Sequence, residues 1–200
     1  MLHTKGAPVS RTAAEKRAHL LREIVETLLF IGLVIVISQF AIGSFLVRDT
    51  RMSPQLKPDE RIVVNKWAYL FGGPSRGDVV VYYDPTNLQA PPSFGRVVAV
   101  PGDRVTVTPS QIIVDDVTLR EPYTSVPTGV MPNATVVNNL KLGSNDYYVL
   151  NDSRLNAADS RSFGVVPRSD IVGKAAFVFW PIKNIRGISN FSDSFKGVSP

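Results

Sequence analysis

The sequence predicts a mainly β domain carried on one N-terminal transmembrane helix. Two observations predict it. Residues 27–47 (TLLFIGLVIVISQFAIGSFLV) hold no charged side chain over 21 positions. Beyond them, short runs rich in Val, Ile and aromatics alternate with Pro, Gly, Asp and Asn, the pattern of strands and turns. A third observation bounds the chemistry: the chain has no cysteine, which excludes disulfides, thiolate metal sites and a cysteine nucleophile.

Residues 1–26 form a basic arm with Lys5, Arg11, Lys16, Arg17 and Arg22. The run 27–47 is long enough to cross a bilayer as a helix of about 31 Å at ~1.5 Å per residue. A cleaved signal peptide has a shorter apolar region and a small-residue cleavage site, whereas Arg48 and Asp49 follow here, so the run is read as an uncleaved anchor. The excess of Lys and Arg before it places the arm in the cytoplasm and the main domain outside, making a single-pass protein of the cell membrane.

Residues 48–186 form the β domain. Its strand candidates are 61–65 (RIVVN), 78–83 (DVVVYY), 96–100, 104–108, 111–114, 147–150 and 175–180. Asp115-Asp116 reads as a two-residue hairpin turn, and Gly72-Gly73-Pro74 and 89–93 as turns or loops. Residues 121–146, with three prolines, read as a surface excursion, and 187–200 as a flexible polar tail. After the anchor, 17 basic and 14 acidic residues are interspersed without a basic block. That argues against nucleic acid as a partner and leaves anionic membrane lipid as the use of the excess.

Four stretches carry chemistry: 51–56 (RMSPQL), 76–81 (RGDVVV), 95–103 (GRVVAVPGD) and 151–164 (NDSRLNAADSRSFG). In this order after a membrane span they resemble the bacterial type I signal peptidase family, Ser/Lys peptidases that cleave exported preproteins. The family's first motif reads Ser-Met-x-Pro-x-Leu, with Ser as nucleophile. Its later motif reads Lys-Arg-Val-x-Gly-x-Pro-Gly-Asp, with Lys as general base. The resemblance puts Arg51 at the nucleophile and Gly95 at the base, and implies that both meet at the mouth of one groove. Guanidinium stays protonated and is neither nucleophile nor proton acceptor, and glycine has no side chain.

Two supporting positions differ as well. Ala157 replaces the Ser that hydrogen-bonds the family's Lys. Asp49 replaces a Ser that donates to the oxyanion, and a carboxylate there opposes developing negative charge. The residues retained are those with structural duties: Met52, Pro54, Leu56, Arg96, Pro101, Gly102, Asp103, Asp152, Arg154, Asp159, Ser160, Arg161 and Gly164. Asp152, Arg154, Asp159 and Arg161 are expected to form a charge-assisted network beside the site. Ser53 is the one candidate for a substitute nucleophile, about 6.5 Å along an extended chain from Arg51. The resemblance thus implies a peptidase scaffold with no catalytic group intact, no metal and no cofactor, which binds exported polypeptide segments or assists their assembly. The alternatives are an active signal peptidase with relocated catalytic groups and a structural subunit of a membrane complex.

Overall fold

The computed structural model describes residues 13–124 and 136–198. The chain divides into a helical unit up to Phe40 and a β unit from Ala41 onward. The helix α1 spans Ala13–Ala41, and its stretch His19–Ala41 is long and apolar enough to cross a membrane. The expected helix over 27–47 therefore needs correction at its end. Ile42–Leu46 leave the helix as strand β1, antiparallel to β2 (Arg61–Asn65), with Ile42 opposite Asn65 and Leu46 opposite Arg61. An unbroken apolar run has no periodicity with which to separate a helix end from a strand start.

The remaining strands follow in chain order: β3 (Val79–Tyr82), β4 (Ser93–Ala99), β5 (Arg104–Val107), β6 (Ile112–Val114), β7 (Val117–Thr118), β8 (Val137–Lys141), β9 (Asp146–Leu150), β10 (Val166–Pro167), β11 (Ile171–Trp180) and β12 (Arg186–Gly187). A helical turn α2 (Ser160–Phe163) precedes β10. The larger sheet runs β1-β2-β11-β3-β4-β9-β10, with β12 also paired to β11, and β1 lies at its edge. β3 is central, and all four of its residues are buried, as its continuous Val-Val-Val-Tyr composition requires. The smaller sheet runs β7-β6-β5-β8. Asp115 and Asp116 both take positive φ (45° and 64°) and bring Val114 opposite Val117, the hairpin geometry that right-twisted strands favour.

Two further expectations are corrected. Within the proposed excursion 121–146, residues 125–135 lie outside the described residues. On either side of them, Glu121 and Tyr123 are buried, and 137–141 pair with β5 as β8. The proposed flexible tail 187–200 is anchored at points within its described part, 187–198: Phe195, at the end of a one-turn 3-10 helix, and Val198 three positions on join a buried cluster with Val98, Leu142 and Leu150. Two apolar residues among Ser, Asp and Gly are a faint signal in sequence but cover that cluster in space.

Candidate functional site

Val47 extends the β1–β2 pairing through its bonds with Glu60 and Asp59, and the chain then turns through 48–57. Met52 and Leu56 are plugged into the core beneath this turn, 1% and 0% exposed, and Leu56 N–H donates to Met52 O at 2.9 Å. Arg51 is held above them. Its backbone N–H and Nε donate to Asp49 at 2.9 and 2.7 Å, and Nη2 lies 2.5 Å from Asp49 Oδ2. The hydrogen bond to Asp49 holds the guanidinium above its ordinary pKa. Burial pushes the Asp49 carboxyl upward, but the bonds and charge of Arg51 outweigh it and set the carboxyl below its usual range. The pair lines a cleft of about 220 Å³ between Leu46–Met52 on one side and Asp84 with Ala90–Phe94 on the other.

Gly95 lies on β4 opposite Val80 of β3, adjacent to the cleft-lining Phe94. A Cβ added there would stand 2.4 Å from Val149 Cγ1 and 3.0 Å from Tyr82 Cε1. The room that a larger residue needs at this position is therefore taken by core side chains. Tyr82 is 1% exposed, and its ring centroid lies 6.2 Å from that of Phe163. Burial raises the phenol's pKa, as does Asp159, while Arg51 opposes the rise. Tyr82 thus bears on both Arg51 and Gly95.

Behind this pair stands a buried ionic scaffold. Arg96, fully buried, donates from Nε and Nη2 to the two oxygens of Asp152 at 2.8 and 2.7 Å, and from Nη1 to Gly77 O at 2.8 Å and Ser189 O at 3.0 Å. Nη2 also meets Gln55 Oε1. The guanidinium carbon lies 4.3 Å from the Tyr123 ring centroid and 5.3 Å from that of Phe191. Arg161 pairs with Asp159 at 2.8 and 2.6 Å and donates to Arg154 O at 2.7 Å, while Arg154 pairs with Glu121. Ser160 Oγ accepts from Val149 N–H at 2.9 Å, and Ser153 N–H donates to Arg51 O at 2.8 Å, fixing this loop to the turn that carries Arg51. Asp103 after the Pro101-Gly102 turn accepts from Arg76 at 2.8 and 2.6 Å. A buried charge demands such partners, and each arginine here has a carboxylate.

The family model described as signal peptidase, peptidase S26, matches residues 20–180. The chain belongs to this family. It is 30% identical over 188 residues to the signal peptidase I of Leptolyngbya laminosa, with 89% of each chain covered. It is 33% identical over 184 residues to a signal peptidase IB of Staphylococcus aureus, covering 82% of this chain and 94% of that one. A signal peptidase I crystal structure from Enterococcus faecalis matches with a TM-score of 0.42 and 25% identity, over 50% of this chain and 95% of that one.

Among the other positions singled out from the signal peptidase motifs, Ala157 is half-buried, and its carbonyl accepts from Asp159 N–H at 2.8 Å. Ser53 Oγ donates to Leu56 O at 3.4 Å within its own turn. Lys57 lies on a separate shallow surface with Pro54, Glu60 and Lys183, and Lys66 at the far end of β2. Glu121, Tyr123, Gln55 and Phe191 escaped the sequence reading although they complete the ionic scaffold. A lone acid beside proline in a polar stretch gives no sign that it meets an arginine 33 positions away.

Proposed function

We propose that this signal peptidase family member holds segments of exported polypeptides without cleaving them. The observation that carries the reading is the state of the two positions on which the family's chemistry depends. Arg51 presents a charged guanidinium bound to Asp49 in the cleft, and the side of Gly95 is closed by Val149 and Tyr82. Neither position offers a group that attacks a carbonyl or accepts a proton. Binding remains open to the fold. β1 is an edge strand, its last residue Leu46 lines the cleft, and an extended chain adds to such an edge through backbone hydrogen bonds. The span His19–Ala41 anchors the protein in the bacterial membrane, with the basic arm in the cytoplasm and the β unit outside.

The test is incubation of the purified full-length protein with a preprotein, reading cleavage and binding together. The expected result is saturable binding and no cleavage above a control without protein. Cleavage that disappears in Ser53→Ala would instead establish an active peptidase with a relocated nucleophile.

A further inference from the structure

The hydrogen-bonding groups of the cleft do not balance. Arg51 directs its backbone N–H, Nε and Nη2 to Asp49, which leaves Nη1 without a partner among the described residues. Arg48, exposed on the same wall, has no hydrogen bond or ion pair among them either. The two carboxylates of the cleft are better served. Asp49 takes the three donors of Arg51, and Asp84 Oδ1 accepts from the N–H and hydroxyl of Thr86 at 2.8 and 2.6 Å. The facing wall carries Pro91 and Pro92, which have no backbone N–H to give. What the cleft holds in surplus is therefore guanidinium N–H, and the group that matches it in charge and planar geometry is a carboxylate.

The strand beside the cleft says whose carboxylate it is. Val47 N–H donates to Glu60 O at 2.8 Å, so Val47 turns its backbone toward the β2 side. Alternation along an antiparallel strand then leaves the N–H and C=O of Leu46 on the free edge, where Leu46 lines the cleft. An extended chain that pairs with Leu46 and runs in the direction of β1 approaches Arg48 and Arg51 with its carboxyl end leading. The pairing edge stops there, because the backbone folds at once into the turn 48–57. Met52 and Leu56 fix that turn to the core, so the guanidinium of Arg51 is carried on a rigid base.

Resting on the polypeptide-holding reading above, we infer that the cleft captures the free carboxyl end of an extended polypeptide. Leu46 pairs with its backbone, and Arg48 and Arg51 hold its terminal carboxylate. The probe is the hexapeptide Val-Ser-Val-Ser-Val-Ala with fluorescein on its amino end, and its binding to full-length protein in detergent micelles is read by fluorescence anisotropy. The free acid is expected to bind about tenfold more tightly than the same peptide as its C-terminal amide, the worth of one charge-assisted hydrogen bond. Arg48→Gln alters an exposed side chain that supports no other group and should cut this ratio. Arg51→Gln combined with Asp49→Asn, which leaves no lone carboxylate behind, should abolish it. Equal binding of acid and amide overturns the inference and leaves the holding reading standing, as does an exported preprotein that binds while both peptides fail. A preference that survives both sets of substitutions overturns the assignment to these arginines. An amide peptide with Glu in place of its second Ser that binds as tightly as the acid overturns the restriction to a chain end. Failure of acid, amide and preprotein alike overturns the holding reading, and the inference with it.

Discussion

At the scale of single residues, Gly95 and Val149 form the most informative pair. A Cβ at 95 meets Val149 Cγ1 at 2.4 Å, closer than packed carbons approach, so the valine must rotate or the strand must move. Gly95→Ala is therefore expected to destabilise the β unit by about 1–3 kcal/mol, the usual cost of overpacking a filled core. Val149→Ala removes the clashing methyl. The double variant should recover part of the loss relative to the sum of the singles, a coupling that urea unfolding measures directly. Equal and additive losses would mean that the two side chains do not share that space. On the non-cleaving reading proposed above, the same crowding bears on building the family's groups into this chain: Arg51→Ser, Gly95→Lys, Asp49→Ser and Ala157→Ser supply those groups but not the room for a lysine stem. Val149, and Tyr82 at 3.0 Å, must yield as well.

At the scale of elements, the segment after β11 is tied to the turn bearing Arg51 through Glu60. This carboxylate is 1% exposed and accepts from Arg186 Nη1 and Nη2 at 2.8 and 2.7 Å, from Asn184 Nδ2 at 3.1 Å and from Lys57 N–H at 3.0 Å. Burial alone would raise its pKa, but these donors outweigh burial and hold it below the ordinary value of 4.5. A carboxyl with a lowered folded-state pKa contributes stability that is full above its unfolded pKa and is lost as pH falls through the folded one. The protein should accordingly weaken on acidification below about pH 4.5, with Asp49 adding a smaller part because it is more exposed. Glu60→Gln should lower stability at neutral pH and flatten the acid limb of a plot of unfolding free energy against pH. An acid limb unchanged by the substitution would assign the effect to other carboxylates.

At the scale of the whole molecule, the tail is a structural member. Ser189 O accepts from Arg96, the Phe191 ring covers the same guanidinium, and Phe195 and Val198 enter the core. Ending the chain after Ile188 should lower the thermal midpoint measurably, and a truncated protein as stable as the full one would show that these contacts are idle. The mainly β class and the β2, β3, β5 and β6 runs were legible because their Val/Ile alternation or continuity is strong and their boundaries are marked by Gly, Pro and Asp. β1, β7, β8, β10 and β12 were not. β1 is hidden in the anchor's apolar run, β7, β10 and β12 are two residues each, too short for any periodicity to register, and β8 (VNNLK) is a polar edge whose strand state comes from pairing with β5. Arg51, Asp49 and Gly95 could be picked out by their place in motifs. That Val149 and Tyr82 occupy the space beside Gly95 is a fact of strand pairing across β3, β4 and β9, which no local pattern encodes.

The absence of a linker between α1 and β1 acts as a ruler. Five strand residues separate Ala41 from Leu46 at the lip of the cleft, a contour of about 17 Å at ~3.3 Å per residue. Along the chain, the lip of the cleft is therefore held within that distance of the last residue of the apolar span. On the anchored, polypeptide-holding reading proposed above, that tether favours a chain still close to the bilayer surface over one already released, which has the whole aqueous volume to be lost in.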